Sequence, residues 1–300
     1  MRKFLVYISV FFAIIIVIDI LFGIACRYLN SHAKGGDTAS HYDITMKQTE
    51  PVLIMGSSRA IHHYDCKIME DSLGVGVYNC GVDGNGILFQ YGRLSLLLER
   101  YTPRMIIYDA MPRFDISGVD DVTRNLAWLR RWYGRSETLD TLFRDISDSE
   151  RFKLLSNLYR YNGDFMQLLS DNIKPMQEVA YKGYKPLYGE IDYTPEKECE
   201  HIEEWNPLKL KYFKKLIALC KQKNINLVVV YSPWLGKENS LSLTRLTELC
   251  DENDIPIIDY YGVEEFNNNP KLFQDASHLN DEGAKAYTKS VVSHIRRFSY

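Results

Sequence analysis

"PVLIMGSSRAIHHYD" (51–65) decides how the rest of the chain is read. Pro51 to Met55 is a short apolar run of the kind that fills a strand buried on both faces, and Gly56 ends it. Two hydroxyls follow, Ser57 and Ser58, at the exit of that strand. Four similar runs appear downstream at 75–81, 104–110, 224–233 and 255–260, separated by helical patterns at 86–101, 207–223 and 242–253 and followed by another at 281–298. Strand and helix alternating at this spacing predict a flavodoxin-like, doubly wound α/β fold with a parallel sheet of about five strands.

The segment 111–206 breaks the alternation. It holds "NLAWLRRWYGR" and "SDSERFKLLSNLYRY" and no convincing buried strand, so it reads as a helical insert. In such folds ligands bind at the carboxyl edge of the sheet, and the insert is expected to cap that edge or to be purely architectural. Ser147 with Glu150 predicts a capping box. "YKGYKPLYG" (181–189) is a Tyr/Gly-rich loop of the insert that would suit a groove lining.

The N-terminus is of another kind. Arg2 and Lys3 precede an apolar stretch, 4–18, then Asp19, then 20–26. As a helix, 4–26 is about 34 Å long, enough to cross a hydrocarbon core of about 30 Å. The basic residues in front predict a single-pass anchor in the cell membrane, N-terminus cytoplasmic and the remainder extracytoplasmic. Gly23, Ala25 and Cys26 leave cleavage or lipidation open. Asp19 is costly within a span; it belongs near the outer interface or beside a partner helix. Residues 27–50 are polar and contain Gly35-Gly36, which predicts a tether. The expected organisation is therefore an anchor over 1–26, a tether over 27–50 and a folded domain over 51–300.

Several classes are set aside. A net charge of −3 without a basic stripe argues against nucleic acid. Six cysteines without a CxxC pair argue against zinc, and Cys220 and Cys250 sit in apolar helical patterns as core residues. "GVDGNG" (81–86) lacks the G-K-[ST] of a nucleotide loop. "EKECEHIEE" (196–204) reads as a solvated helical face. No metal or cofactor is expected.

Ser58 would open the helix after the first strand, where backbone amides favour developing negative charge. A serine hydroxyl is a weak nucleophile until a base takes its proton. His62 and His63 are too near in sequence and are expected to face solvent or a pocket rim. "FQDASHLNDEGAKAY" (273–287) offers a better base. Asp275 and His278 are three residues apart on a turn, so the carboxylate can hold the Nδ1–H and leave Nε2 free. Asn280 is placed to cap the last helix, and Gly283 to let it pack closely.

"GSSR" (56–59), "NCGVDGNG" (79–86) and "DASHLN" (275–280), in this order over 51–298, resemble the SGNH/GDSL hydrolase superfamily. The resemblance implies Ser58 as nucleophile, with Ser57 where an Asp is usual, His278 as base and Asp275 as its orienting carboxylate. Asn79, Gly81 and Gly84 match the second block, which implies an oxyanion hole from the amides of Ser58 and Gly84. The third block departs from the pattern: "YDAMPRFDIS" (108–117) has no asparagine donor. One such donor is worth about 2.7–4 kcal/mol in the transition state. Arg113 is the candidate replacement, or else a salt-bridge partner of Asp109 or Asp115; Asn85 is a further candidate substrate contact. The G-S-S variant with an anchor resembles membrane-anchored envelope members, DltD-like or alginate-acetylation-like. That implies a serine-dependent acyl-ester hydrolase or O-acyltransferase acting on an envelope or secreted carbohydrate. Its partners would be the acylated carbohydrate or acyl donor and envelope polysaccharide machinery. The alternative is a catalytically weak binding or assembly component, favoured by the missing asparagine and opposed by the intact Ser58, His278 and Asp275.

Overall fold

The computed structural model describes residues 1–120, 122–176, 181–193, 204–236 and 240–298. The acidic run at 196–203, with Cys199, lies outside the described residues. The chain divides into two compact units: Gln48–Asp120 with Val179–Tyr300, and Met1–Lys47 with Asp121–Glu178.

The first of these holds a five-stranded sheet: β1 (Val52–Gly56), β2 (Val77–Asn79), β3 (Met105–Asp109), β4 (Asn226–Tyr231) and β5 (Ile257–Asp259). The order is β2-β1-β3-β4-β5 and every pairing is parallel. Each strand falls inside one of the apolar runs. β1 and β3 are buried along their whole length, because helices cover both faces of the sheet and leave no face for polar alternation. Val52, Ile54, Met105, Ile107, Val228 and Val230 pack on one face with Met69 of the helix Cys66–Leu73 and Tyr287, Val291 and Ile295 of the helix Asp281–Ile295. On the other face Tyr108 meets Phe213 of the helix Pro207–Gln222, ring centroids 5.1 Å apart. Asn206 caps that helix by accepting from the amides of Leu208 and Lys209, with Pro207 in its first turn.

β1 has β2 on one side and β3 on the other, so the direction of winding reverses between β1 and β3. Ligands of doubly wound folds bind at that reversal, beyond the carboxyl ends of the strands. Ser58 leaves β1 there.

The second unit is helical. The helix Arg2–Ser31 is exposed all round over residues 4–18, while Gly23, Cys26 and Asn30 are buried. Residues 27–50 are not a simple tether: 27–31 continue this helix and Gly36–Met46 form another, burying Thr38, Ile44 and Thr45. A carboxylate more than a hundred residues away explains this order, since Asp171 accepts from the Thr38 amide at 2.9 Å. Ser147 does cap the helix Asp148–Lys153, accepting from the Ser149 amide. The reciprocal half of the box does not form, because Glu150 takes the Tyr159 hydroxyl at 2.9 Å and the Lys153 ammonium at 2.9 Å instead.

Candidate active site

β1 turns into the helix Ser58–His63 within two residues. Gly56 makes this feasible. Its φ of 143° is one that side chains rarely adopt, and a Cβ there would lie 2.5 Å from the Asp109 carbonyl oxygen. The chain thus passes hard against β3 and presents the next two residues in opposite senses. Ser57 is buried, 1 % exposed, and its hydroxyl has no hydrogen-bond partner among the described residues. Ser58 is half-buried, and it alone among Val52–Cys66 is not fully buried. Removing a buried, unpartnered hydroxyl relieves a desolvation cost. Ser57→Ala is accordingly expected to leave thermal stability unchanged or slightly raised; a Tm drop of several degrees in a melting experiment would contradict this geometry.

The loop 273–279 closes on itself before the last helix, with Phe273 bridged to Leu279 and the Gln274 amide donating to the His278 carbonyl at 2.9 Å. Inside it, Asp275 accepts from the Ser277 and His278 amides at 2.8 and 3.0 Å and from the Ser277 hydroxyl at 3.0 Å. His278 Nδ1 lies 2.8 Å from Asp275 Oδ2, and His278 Nε2 lies 2.8 Å from Ser58 Oγ. Partial burial pushes the Asp275 carboxyl up, but the hydrogen bonds from His278 and Ser277 outweigh it and hold the group at about 2. An ionised Asp275 requires the imidazole proton on Nδ1, which leaves Nε2 as acceptor for the Ser58 hydroxyl. Asn280 accepts from the Gly283 amide at 2.9 Å, and a Cβ on Gly283 would strike the Leu272 carbonyl, so this helix start packs as expected.

His63 is buried, contrary to expectation, while His62, 8 % exposed, lies beside the His278 ring. His63 Nε2 accepts from the Leu279 amide at 3.0 Å, which pins the residue after His278. Burial, with His278 and Arg59 nearby, pushes His63 well below the usual imidazole value, so it stays neutral and keeps that acceptor. His62 joins Asp83 Oδ1 at 3.0 Å to the Lys185 carbonyl at 2.6 Å, and its ring meets that of His278 edge-on at 5.8 Å. Its burial reflects that double engagement. Lys185 belongs to the Tyr/Gly-rich loop, which also donates its Lys185 amide to the Ile61 carbonyl at 3.1 Å.

The loop after β2 lies against the same turn. The Val82 amide donates to the Gly56 carbonyl at 3.1 Å, and Asn79 joins the Ala60 carbonyl to the Gly81 amide. Gly84 takes a left-handed turn, φ 69°, with open space where a side chain would be. Asn85 donates to the Asp83 carbonyl at 3.2 Å, and its Oδ1 has no hydrogen-bond partner among the described residues.

The segment after β3 is folded onto itself. Asp115 accepts from the Met111 amide at 2.6 Å and the Tyr108 hydroxyl at 2.5 Å, and burial pushes its carboxyl up to about 7. The buried Lys209 ammonium takes the Arg113 and Ser117 carbonyls, both at 2.7 Å, and Asp120 at 2.9 Å. Arg113 itself is exposed. The salt bridge considered for it does not form: Asp109 faces Arg59, and Asp115 is taken up as above.

Arg59 was not foreseen. It is fully buried directly behind Ser58, donating to the Ala110 carbonyl at 2.7 Å and the Ser232 carbonyl at 3.2 Å. Its Nε lies 3.8 Å from Asp109 Oδ1, and its guanidinium stacks within 5.2 Å of Trp234 and 5.8 Å of Tyr261. One side chain thereby ties the carboxyl ends of β3 and β4 to the start of the serine helix. Among the described residues no His/Cys/Asp/Glu cluster of metal-binding type occurs.

No family model and no curated protein matches the chain. Among solved structures it is similar to a protein assigned to the G-D-S-L lipolytic family from Desulfitobacterium hafniense DCB-2, at 10% identity over 81% of this chain and 97% of that one, TM-score 0.42. It is similar also to an acetyl xylan esterase, at 14% identity over 81% and 99%, TM-score 0.41. A third similar structure is that of a protein assigned as an acylhydrolase from Bacteroides fragilis NCTC 9343, at 15% identity over 89% and 94%, TM-score 0.36.

Proposed function

We propose that the protein is a serine-dependent acyl-ester hydrolase or O-acyltransferase of SGNH type, with Ser58, His278 and Asp275 as its triad. The observation that carries this is the unbroken line Asp275–His278–Ser58, at 2.8 Å for each link, ending on a hydroxyl at the reversal point of a doubly wound sheet. Ser58 Oγ attacks the ester carbonyl as His278 Nε2 takes its proton. Asp275 stabilises the imidazolium, and the amides of Ser58 and Gly84 receive the oxyanion. His278 then returns the proton to the departing alkoxide, leaving Ser58 acylated. Water, deprotonated by the same nitrogen, releases the acid; a sugar hydroxyl in its place yields a new ester.

The first helix, apolar over its exposed length, is the proposed single-pass anchor in the cell membrane, with its N-terminus cytoplasmic. With that topology the substrate is an acylated carbohydrate of the envelope or a secreted one. The departure in the third block favours a second reading, a catalytically weak component of an envelope polysaccharide system, since no asparagine stands after β3.

The two readings separate in one experiment on the full chain in detergent. Labelling with a fluorophosphonate, with acetate release from an O-acetylated polysaccharide, is the expected result for the enzyme. A folded chain that takes no label supports the binding component.

A further inference from the structure

The apolar helix is exposed on every side only over Phe4–Ile18. Those residues rise about 22 Å, short of a hydrocarbon core of about 30 Å. Reaching about 31 Å requires the helix through Ile24. From Asp19 onward, however, one side of the helix is occupied by its own helical unit. Asp19 Oδ1 accepts from the Ser156 hydroxyl at 2.7 Å and the Leu158 amide at 2.9 Å, while Oδ2 accepts from the Asn157 amide and side chain, each at 2.9 Å. Gly23 leaves room for Asn157, and Phe22 packs on Phe165 with ring centroids 5.2 Å apart. If the helix crosses a bilayer, the part of the unit level with residues 19–24 enters it too.

The chain next to those contacts carries exposed apolar side chains. Leu155 and Leu158, which flank the groups bound to Asp19, are 69 % and 48 % exposed; Met166, next to Phe165, is 75 % exposed, and Phe152 is 62 % exposed. Arg151 and Lys153 flank Phe152 and are exposed, the Arg151 guanidinium lying 4.6 Å from the Phe152 ring centroid, so cationic groups that suit lipid headgroups border the apolar side chains. Asp19 itself has both oxygens doubly hydrogen-bonded, which removes most of the cost of a carboxylate at that depth.

We propose that the corner formed by Phe152, Leu155, Leu158 and Met166 is a lipid-contacting surface, seated in the acyl–headgroup boundary on the side where the first helix ends. The proposal rests on the reading of that helix as a membrane span, and the test separates the two.

Single cysteines for an environment-sensitive fluorophore are placed in a Cys199→Ser background, the five other cysteines being buried. The sites are Leu155→Cys, Leu158→Cys, Ile15→Cys and Ile173→Cys, each in the full chain reconstituted in vesicles of phosphatidylcholine with phosphatidylglycerol. Ile173 is an apolar control; it is 80 % exposed, and the adjoining Asn172 bonds the Leu29 carbonyl, ten residues beyond Asp19 along the helix. A surface buried 5–10 Å into the boundary predicts quenching by shallow nitroxide lipids at 155 and 158 at least about twofold stronger than at 173. Quenching at 15 but no more at 155 and 158 than at 173 overturns the proposal and leaves the span intact. Absence of quenching at 15 by nitroxides placed deep on the acyl chain overturns both.

Discussion

Ser58→Ala should lower ester turnover by about 10⁴- to 10⁶-fold, the scale seen when the nucleophile is removed from a serine triad. The variant should fold normally, because Ser58 is half-buried and its hydroxyl bonds only His278 among the described residues. The two serines should thus make a sharp internal contrast, Ser58→Ala losing turnover and Ser57→Ala nearly silent in both stability and rate. Steady-state turnover of an aryl acetate, with Tm measured alongside, provides the check. Turnover within tenfold of the unaltered chain, at equal Tm, would remove Ser58 from the mechanism.

Arg59→Leu should destabilise the fold by about 3–5 kcal/mol, because it strands a carboxylate that is buried with its partner. Asp109 is 1 % exposed, and burial pushes its carboxyl up against the pull of Arg59 and of the Tyr64 hydroxyl, which donates to it at 2.6 Å. Losing the guanidinium also leaves the Ala110 and Ser232 carbonyls without their donor. Denaturant unfolding measures the loss directly. Adding Asp109→Asn to Arg59→Leu should recover part of it, since the uncompensated charge is gone. A cost below about 1 kcal/mol for Arg59→Leu alone, the scale of an exposed pair, would mean the ion pair does not hold this corner.

The strands were legible because each is a short apolar run with no polar alternation, and every one of the five lies within such a run. The line from Asp275 through His278 to Ser58 was legible for a related reason. A carboxylate and an imidazole three residues apart on a turn need no tertiary information to meet, and the sheet topology brings a residue after β1 to the common edge. What escaped the sequence depends on partners far along the chain. Arg59 looks like an ordinary surface cation beside a serine until β3 and β4 supply its two carbonyls and its carboxylate. His63 shows no local sign that it will hold the Leu279 amide. Residues 27–50 read as a tether from composition, and only Asp171 and its neighbours give that polar stretch a reason to be helical. The salt bridge read for Arg113 failed in the opposite sense: its nearby acids looked like natural partners, but each is satisfied by another donor.

The proposed base follows the proposed nucleophile by 220 residues. At ribosomal rates of about 5–20 residues per second, this interval is about 10–40 s, during which the serine exists without the imidazole that bonds it. β5 also precedes the Asp275–His278 turn, so the whole sheet can be laid down before the hydroxyl becomes reactive. If Ser58, His278 and Asp275 act as proposed, a nascent chain that stops short of His278 should be chemically silent. On the mechanism proposed above, synthesis of the 273–279 loop would be an arming step, coming after every strand of the sheet.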